Sequence, residues 1–150
     1  MHKTEHTRSR WATFAMLMAV AGIAAASADT TPKPGGVYRL KPGIYVAQGS
    51  ECSAPPNAAI RQYDGKGIST AHTRSCKAKV TKRQGKKYTV EQSCIDAGAG
   101  TAPRRIQRQQ VTVDNALTFQ QNIAGNITTY RYCPIYELPA DLRKAASGKR

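Results

Sequence analysis

The chain has 150 residues and a formal net charge of +14, from 23 Lys and Arg against 9 Asp and Glu. That length is enough for one domain and too short for two, and its core, with few large apolar side chains, has a thin supply of apolar area. A field this positive attracts anionic partners and also keeps a small protein soluble, two uses that charge alone does not separate.

Lys3, Arg8 and Arg10 precede an apolar run from Trp11 to Ala25, and Ala26-Ser27-Ala28 follows as a small-x-small site. These are the parts of a Sec-type signal peptide over residues 1–28, which predicts cleavage after Ala28 and export to the periplasm or beyond. Trp11 to Ala28 is long enough to touch the lower limit of a spanning helix. Its Ala content and terminal cleavage motif favour a removed leader, so no stable membrane span is expected after cleavage. No Cys lies near the site and Arg10 has no adjacent Arg, which argues against a lipid anchor or a twin-arginine signal. Cleavage leaves enough chain for one domain, and losing Lys3, Arg8, Arg10 and Glu5 leaves it at about +12.

Asp29 to Gly36 holds two prolines and two glycines and is expected to be a disordered lead-in to a domain over residues 37–146. From Val37 onward, short β-branched or aromatic runs alternate with turn residues, an all-β pattern. The expected strands are Gly43 to Gln48, Ala59 to Asp64, Ile68 to Val80, Tyr88 to Ile95, Gln109 to Val113, Leu117 to Asn122 and Ile127 to Cys133. Asp64-Gly65-Lys66-Gly67 and Gln84-Gly85 supply the positive-φ residues of tight turns.

Period-2 alternation pairs Val80 with Val90, Ala78 with Gln92 and Cys76 with Cys94 across one hairpin. Across Asp114-Asn115-Ala116 it pairs Val111 with Phe119 and Val113 with Leu117. Tyr130 and Tyr132 share a face, which puts Cys133 on the other and requires either a bulge or burial of both faces. The expected fold is a single small antiparallel meander closed into a barrel, or a two-layer sandwich. Leu138 to Ala146 is expected to form a last helical turn, and residues 147–150 to fray.

Cys52, Cys76, Cys94 and Cys133 all lie beyond the cleavage site, and an even count in an exported chain predicts two disulfides. No pair has the C-x-x-C spacing of a zinc site or redox motif, so no metal or cofactor is expected. A bridge between directly opposed Cys76 and Cys94 would tend to be strained, which predicts Cys52 with Cys76 and Cys94 with Cys133.

Lys41-Pro42-Gly43-Ile44-Tyr45, followed by four spaced cysteines in a β-rich chain, resembles small exported proteobacterial four-cysteine proteins of uncharacterised function. In that pattern Tyr45 stands where Trp is usual. The resemblance implies the compartment and the β fold, and it implies no activity.

Lys77, Lys79, Lys82, Arg83, Lys86 and Lys87 form the densest charge run and are the candidate ligand-binding residues, a cationic hairpin suited to phosphate or carboxylate polymers. The plainer alternative is a solvated edge whose lysines block strand-to-strand association. Arg104, Arg105 and Arg108 make a second cluster, and Tyr130-Arg131-Tyr132 is read as two core tyrosines flanking a surface arginine. His72, the sole histidine beyond the signal, and Glu91 are the one tempting acid–base pair, but the hairpin register sets Glu91 opposite Lys79, far along the strand. No catalytic residue is assigned. Gly65-Lys66-Gly67 and Gly98-Ala99-Gly100 lack the context of a phosphate loop and read as turns. Asn126-Ile127-Thr128 fits a glycosylation sequon, a short pattern that also arises by chance.

The expectation is a non-enzymatic binding or envelope-accessory protein that engages an anionic polymer, an envelope component or a protein partner. The alternatives are an inhibitor module for a wall-degrading enzyme and a small basic secreted hydrolase. Electrostatic repulsion from a basic lysozyme-type target counts against the first of these, and the lack of a convergent acid and base against the second.

Overall fold

The computed structural model describes residues 36–98 and 103–146; the proposed signal peptide, most of the lead-in, Ala99 to Ala102 and the last four residues lie outside it. Eight antiparallel strands form one sheet in the order β3-β2-β1-β8-β7-β6-β5-β4, curled into a nearly closed barrel. They are β1 (Gly43–Ala47), β2 (Ile60–Tyr63), β3 (Ile68–Thr70), β4 (Thr73–Gln84), β5 (Lys87–Asp96), β6 (Arg105–Asn115), β7 (Thr118–Ile123) and β8 (Asn126–Cys133). One short helix, α1 (Ala140–Ala146), follows a 3-10 turn at Ile135–Glu137.

The turns follow local chemistry. Asp64 Oδ1 accepts the amides of Lys66 and Gly67 at 2.9 and 3.1 Å, and Gly65 takes φ +88° between β2 and β3. Gly85, at φ +57°, turns β4 into β5. The expected strand Ile68 to Val80 is broken at Ala71-His72 into β3 and β4, where the Thr73 hydroxyl accepts the Thr70 amide at 2.9 Å. That break is why eight strands form where seven were expected. β6 also starts four residues early, because Arg105 to Arg108 are exposed and offer no buried alternation to read from sequence.

Two registers show what local pattern captures. In β4–β5, Val80 faces Val90 and Ala78 faces Gln92 as expected, but the pairing slips on both sides, between Arg74 and Lys77 and between Val80 and Lys82. In β6–β7 the expected pairs are wrong by two residues: Val111 faces Gln121 and Val113 faces Phe119. Asn115 belongs to the strand, paired with Thr118, and its Oδ1 accepts the Leu117 amide at 2.8 Å, so the turn sits at Ala116-Leu117. A two-residue shift preserves which face each side chain takes, so the core survived the error.

The barrel interior is aromatic at one end. Tyr45, Phe119 and Tyr130 pack in sequence, with centroids 5.2 and 5.1 Å apart, and Tyr38 meets Tyr88 edge-on at 5.4 Å. Outside the barrel a second core joins Ile44, Val46, Cys52, Ile60, Cys133 and Leu138, with Leu142 of α1 packed on it. Both faces of β8 are therefore buried: Tyr130 points in and Cys133 points out, with no bulge in the β1–β8 ladder.

The disulfides are Cys52–Cys133 and Cys76–Cys94, which overturns the expected connectivity. Ser75, at φ +52°, forms the irregularity that brings Cys76 within 4.2 Å (Cα–Cα) of Cys94. Cys52, just past β1, reaches Cys133 because β1 and β8 are neighbours, pairing Ile44 with Cys133.

Closure occurs between the chain-adjacent edges β3 and β4. The Ala78 amide donates to Lys66 O at 2.8 Å. The Gln92 carboxamide on β5 accepts the Ile68 amide and donates to the Ile68 carbonyl, both at 2.8 Å, replacing a ladder rung. Gly67 permits this approach, since a Cβ there would stand 2.7 Å from the Cys76 carbonyl group.

Candidate functional site: the basic hairpin and the barrel mouth

Residues directly paired across a ladder share a face. Lys77, Lys79 and Lys82 pair with Ser93, Glu91 and Thr89, and Gln84 pairs with Lys87, so Lys77, Lys79, Lys82 and Lys87 project from the outer face of one hairpin. All four are exposed, and among the described residues none of them makes an ion pair. Strict alternation would turn Lys82 inward. The slip after Val80, where the Thr81 hydroxyl donates to Thr89 O at 3.1 Å, turns it out.

The other two candidates are drawn elsewhere. Arg83 pairs with Tyr88 and lays its guanidinium over that ring at 4.9 Å, while Lys86 donates from Nζ to Asp114 O at 2.8 Å. Arg108, read from sequence as part of a separate cluster, joins the face instead, because Glu91 stands between it and Lys79 in adjacent ladders. Its Nε lies 3.2 Å from Glu91 Oε1. Exposed pairs of that kind are worth about 0–1 kcal/mol. Five cations thus share one face, with Glu91 between Lys79 and Arg108. β4 is the last strand of the sheet, and β3 beside it begins only at Ile68, with the Lys66 carbonyl meeting the Ala78 amide, so the distal half of the hairpin beyond Ala78 presents an unpaired edge.

The remaining sequence candidates have structural work. Arg104 donates from Nη1 to Ser75 O and Ser93 O, at 2.8 and 2.9 Å, which fastens the irregular stretch beside Cys76. Arg105 pairs with Asp96 at 3.0 Å. Arg131 donates to Ser50 O and Cys52 Sγ, while Tyr130 is buried. His72 lies in the β3–β4 turn with its backbone held by Thr70 Oγ1 and the Ala97 amide, and Glu91 stays with Arg108 in mid-strand. The structure does not bring that pair together.

Sequence reading missed the far end of the barrel. Gln92, Gln109 and Gln121 are inward and almost fully buried, and a cavity of about 300 Å³ opens beside Gln92 and Gln121, between Thr70, Asp96, Arg105, Ile106 and Ile123. Arg61, on β2, stacks over the Tyr130 ring at 4.6 Å and donates to Gln121 Oε1 at 2.8 Å. Burial lowers its pKa from the usual arginine value. The signal was present as glutamines at inward positions of otherwise apolar alternation, Gln92 after Tyr88 and Val90 above all.

No family model, curated protein or solved structure matches this chain.

Proposed function

We propose that this chain is an exported, disulfide-stabilised β-barrel that binds anionic polymers through the outer face of its β4–β5 hairpin. One observation carries the reading: Lys77, Lys79, Lys82 and Lys87 stand on a single face, with Arg108 beside them and Glu91 paired between Lys79 and Arg108. A row of exposed ammonium groups matches closely spaced phosphates or carboxylates and gains affinity by releasing the polymer's condensed counterions. An edge guard needs only a charge or two on the exposed strand, whereas here the cations extend across three strands. The composition of residues 1–28 and two disulfides, at home in an oxidising compartment, support export. The mature chain is expected to begin at Asp29, which N-terminal sequencing of protein recovered from the producing cells reads directly; an intact leader would overturn the export reading.

Replacing Lys77, Lys79, Lys82 and Lys87 with Gln is expected to weaken binding to duplex DNA and to flatten its dependence on log salt by up to about 3.6, at roughly 0.9 for each lost phosphate contact. Replacing Arg83 and Lys86, which are engaged elsewhere, should change that slope little. Titrations at two salt concentrations, with light scattering alongside, separate this from the edge-guard alternative, in which binding is unchanged and the quadruple variant self-associates.

A further inference from the structure

Beyond the lysines the outer face of the hairpin continues across the sheet as a polar surface. Cross-strand pairing sets Lys82 beside Thr89, Thr89 beside Gln110, Gln110 beside Asn122 and Asn122 beside Ile127, a single row from β4 to β8. Within it Thr89, Gln110 and Asn122 line a depression of about 310 Å³ together with Arg108, and Ala124 and Gly125 of the β7–β8 turn form its wall. That wall is fixed: Asn122 Oδ1 accepts the Gly125 amide at 3.0 Å, and Ala124 and Gly125 both take positive φ.

The lining groups have hydrogen-bonding capacity to spare. Arg108 spends its Nε on Glu91, which leaves the edge formed by its two Nη groups open, a planar fork of the kind that receives a carboxylate. Among the described residues, the Gln110 carboxamide, the Thr89 hydroxyl and the Asn122 NH2 make no hydrogen bond.

These groups select among polyanions. A phosphodiester oxygen only accepts, so the lysines serve it and an amide oxygen does not. Sugar hydroxyls both donate and accept, as carboxamides and threonine hydroxyls do. None of the residues paired in this row is aromatic, so the face lacks the stacking platform that holds single-stranded nucleic acid. Ile127, 65% exposed at the end of the row, offers instead an apolar surface to the C–H face of a sugar ring.

We propose that the polymer is an acidic polysaccharide bearing uronate carboxylates. One sugar sits in the depression with its carboxylate on Arg108 and its hydroxyls on Thr89, Gln110 and Asn122, while the carboxylates of its neighbours run along Lys79 and Lys82. This rests on the polyanion reading of the basic face and adds which polyanion the face prefers.

Oligogalacturonate titrated into the full disulfide-bonded chain tests this, with duplex DNA as the probe of charge alone. Oligogalacturonate is expected to shift the side-chain amide NMR resonances of Gln110. Gln110→Met, with wild-type circular dichroism, should weaken oligogalacturonate by about threefold to tenfold, as for loss of a neutral hydrogen bond, and leave DNA binding unchanged. Arg108→Lys, which keeps the charge and loses the fork, should weaken oligogalacturonate and again spare DNA. Gln110 resonances that stay put, a folded Gln110→Met that binds oligogalacturonate like wild type, or variants that lose both polymers equally would each overturn the inference and leave a general polyanion face. The quadruple lysine variant reads the other proposal separately: if it binds both polymers like wild type, the basic face itself fails.

Discussion

Raising the pH above about 10 is expected to destabilise this protein steeply, because its core holds phenols that cannot ionise in place. Burial, reinforced by the neighbouring Tyr63 and Tyr88 rings, pushes Tyr38 far above the ordinary tyrosine range. Burial and the nearby Tyr132 do the same to Tyr45, whose hydroxyl donates to Lys41 O at 2.7 Å. Tyr63 is raised as well, chiefly by burial. Below about pH 10 these groups are protonated in both the folded and unfolded chains and add no pH dependence. Above it the unfolded chain releases protons that the native state retains, so stability falls by about 1.4 kcal/mol per pH unit for each such group.

Tyr38 and Tyr45 together make that about 3 kcal/mol per unit, against a total of about 5–15 kcal/mol for a domain, so one or two pH units consume much of the reserve. Urea denaturation at about pH 8, 10 and 11, followed with tyrosinate absorbance, measures it. Tyr38→Phe is the informative variant: the Tyr38 hydroxyl has no hydrogen-bond partner among the described residues, so the change removes one titrating group without breaking a bond. It should lower the alkaline slope by about 1.4 kcal/mol per pH unit. Equal stability across the range would contradict the packing of these rings.

Loss of the Cys52–Cys133 bridge is expected to cost more than loss of Cys76–Cys94. The first closes a separation of 81 residues and the second one of 18. Chain-entropy reasoning gives about 4.5 and about 3 kcal/mol respectively, since the unfolded chain loses more freedom when the longer loop is closed. Cys52 and Cys133 also sit in the outer core, so their replacement by Ala removes packing between β1, β8 and α1 in addition. Thermal unfolding of the C52A/C133A and C76A/C94A double variants should show falls on the order of 20 °C and 13 °C respectively. Equal falls would mean that local packing at the β4–β5 irregularity, and not loop length, sets the contribution of each bridge.

The candidate site was half legible in the sequence. Alternation alone set Lys77 and Lys79 on the face opposite the core, and that is where they stand. The same rule would have turned Lys82 inward, and only the slip after Val80 brings it out. Arg108 could not be joined to these lysines until Glu91 was seen to pair with Lys79 on one side and Arg108 on the other. The barrel mouth was less legible still, because Arg61, Gln109 and Gln121 come from β2, β6 and β7 and nothing in their local sequence links them.

By itself the sequence determined the all-β class, most strand positions, the turns at Asp64-Gly65 and at Gly85, and the shared inner face of Val90, Val111, Val113 and Phe119. Those features depend on residues within a few positions of one another, through period-2 side-chain alternation and the backbone freedom of glycine. The tertiary structure alone decided that β8 returns to pair with β1, bringing Cys133 to Cys52 across 81 residues. It also decided that the sheet closes where Gln92 bonds both backbone groups of Ile68, and where Gly67 lets that strand approach Cys76. Such choices depend on how the twist and register of the whole sheet bring its edges together, a property that no single stretch of sequence carries.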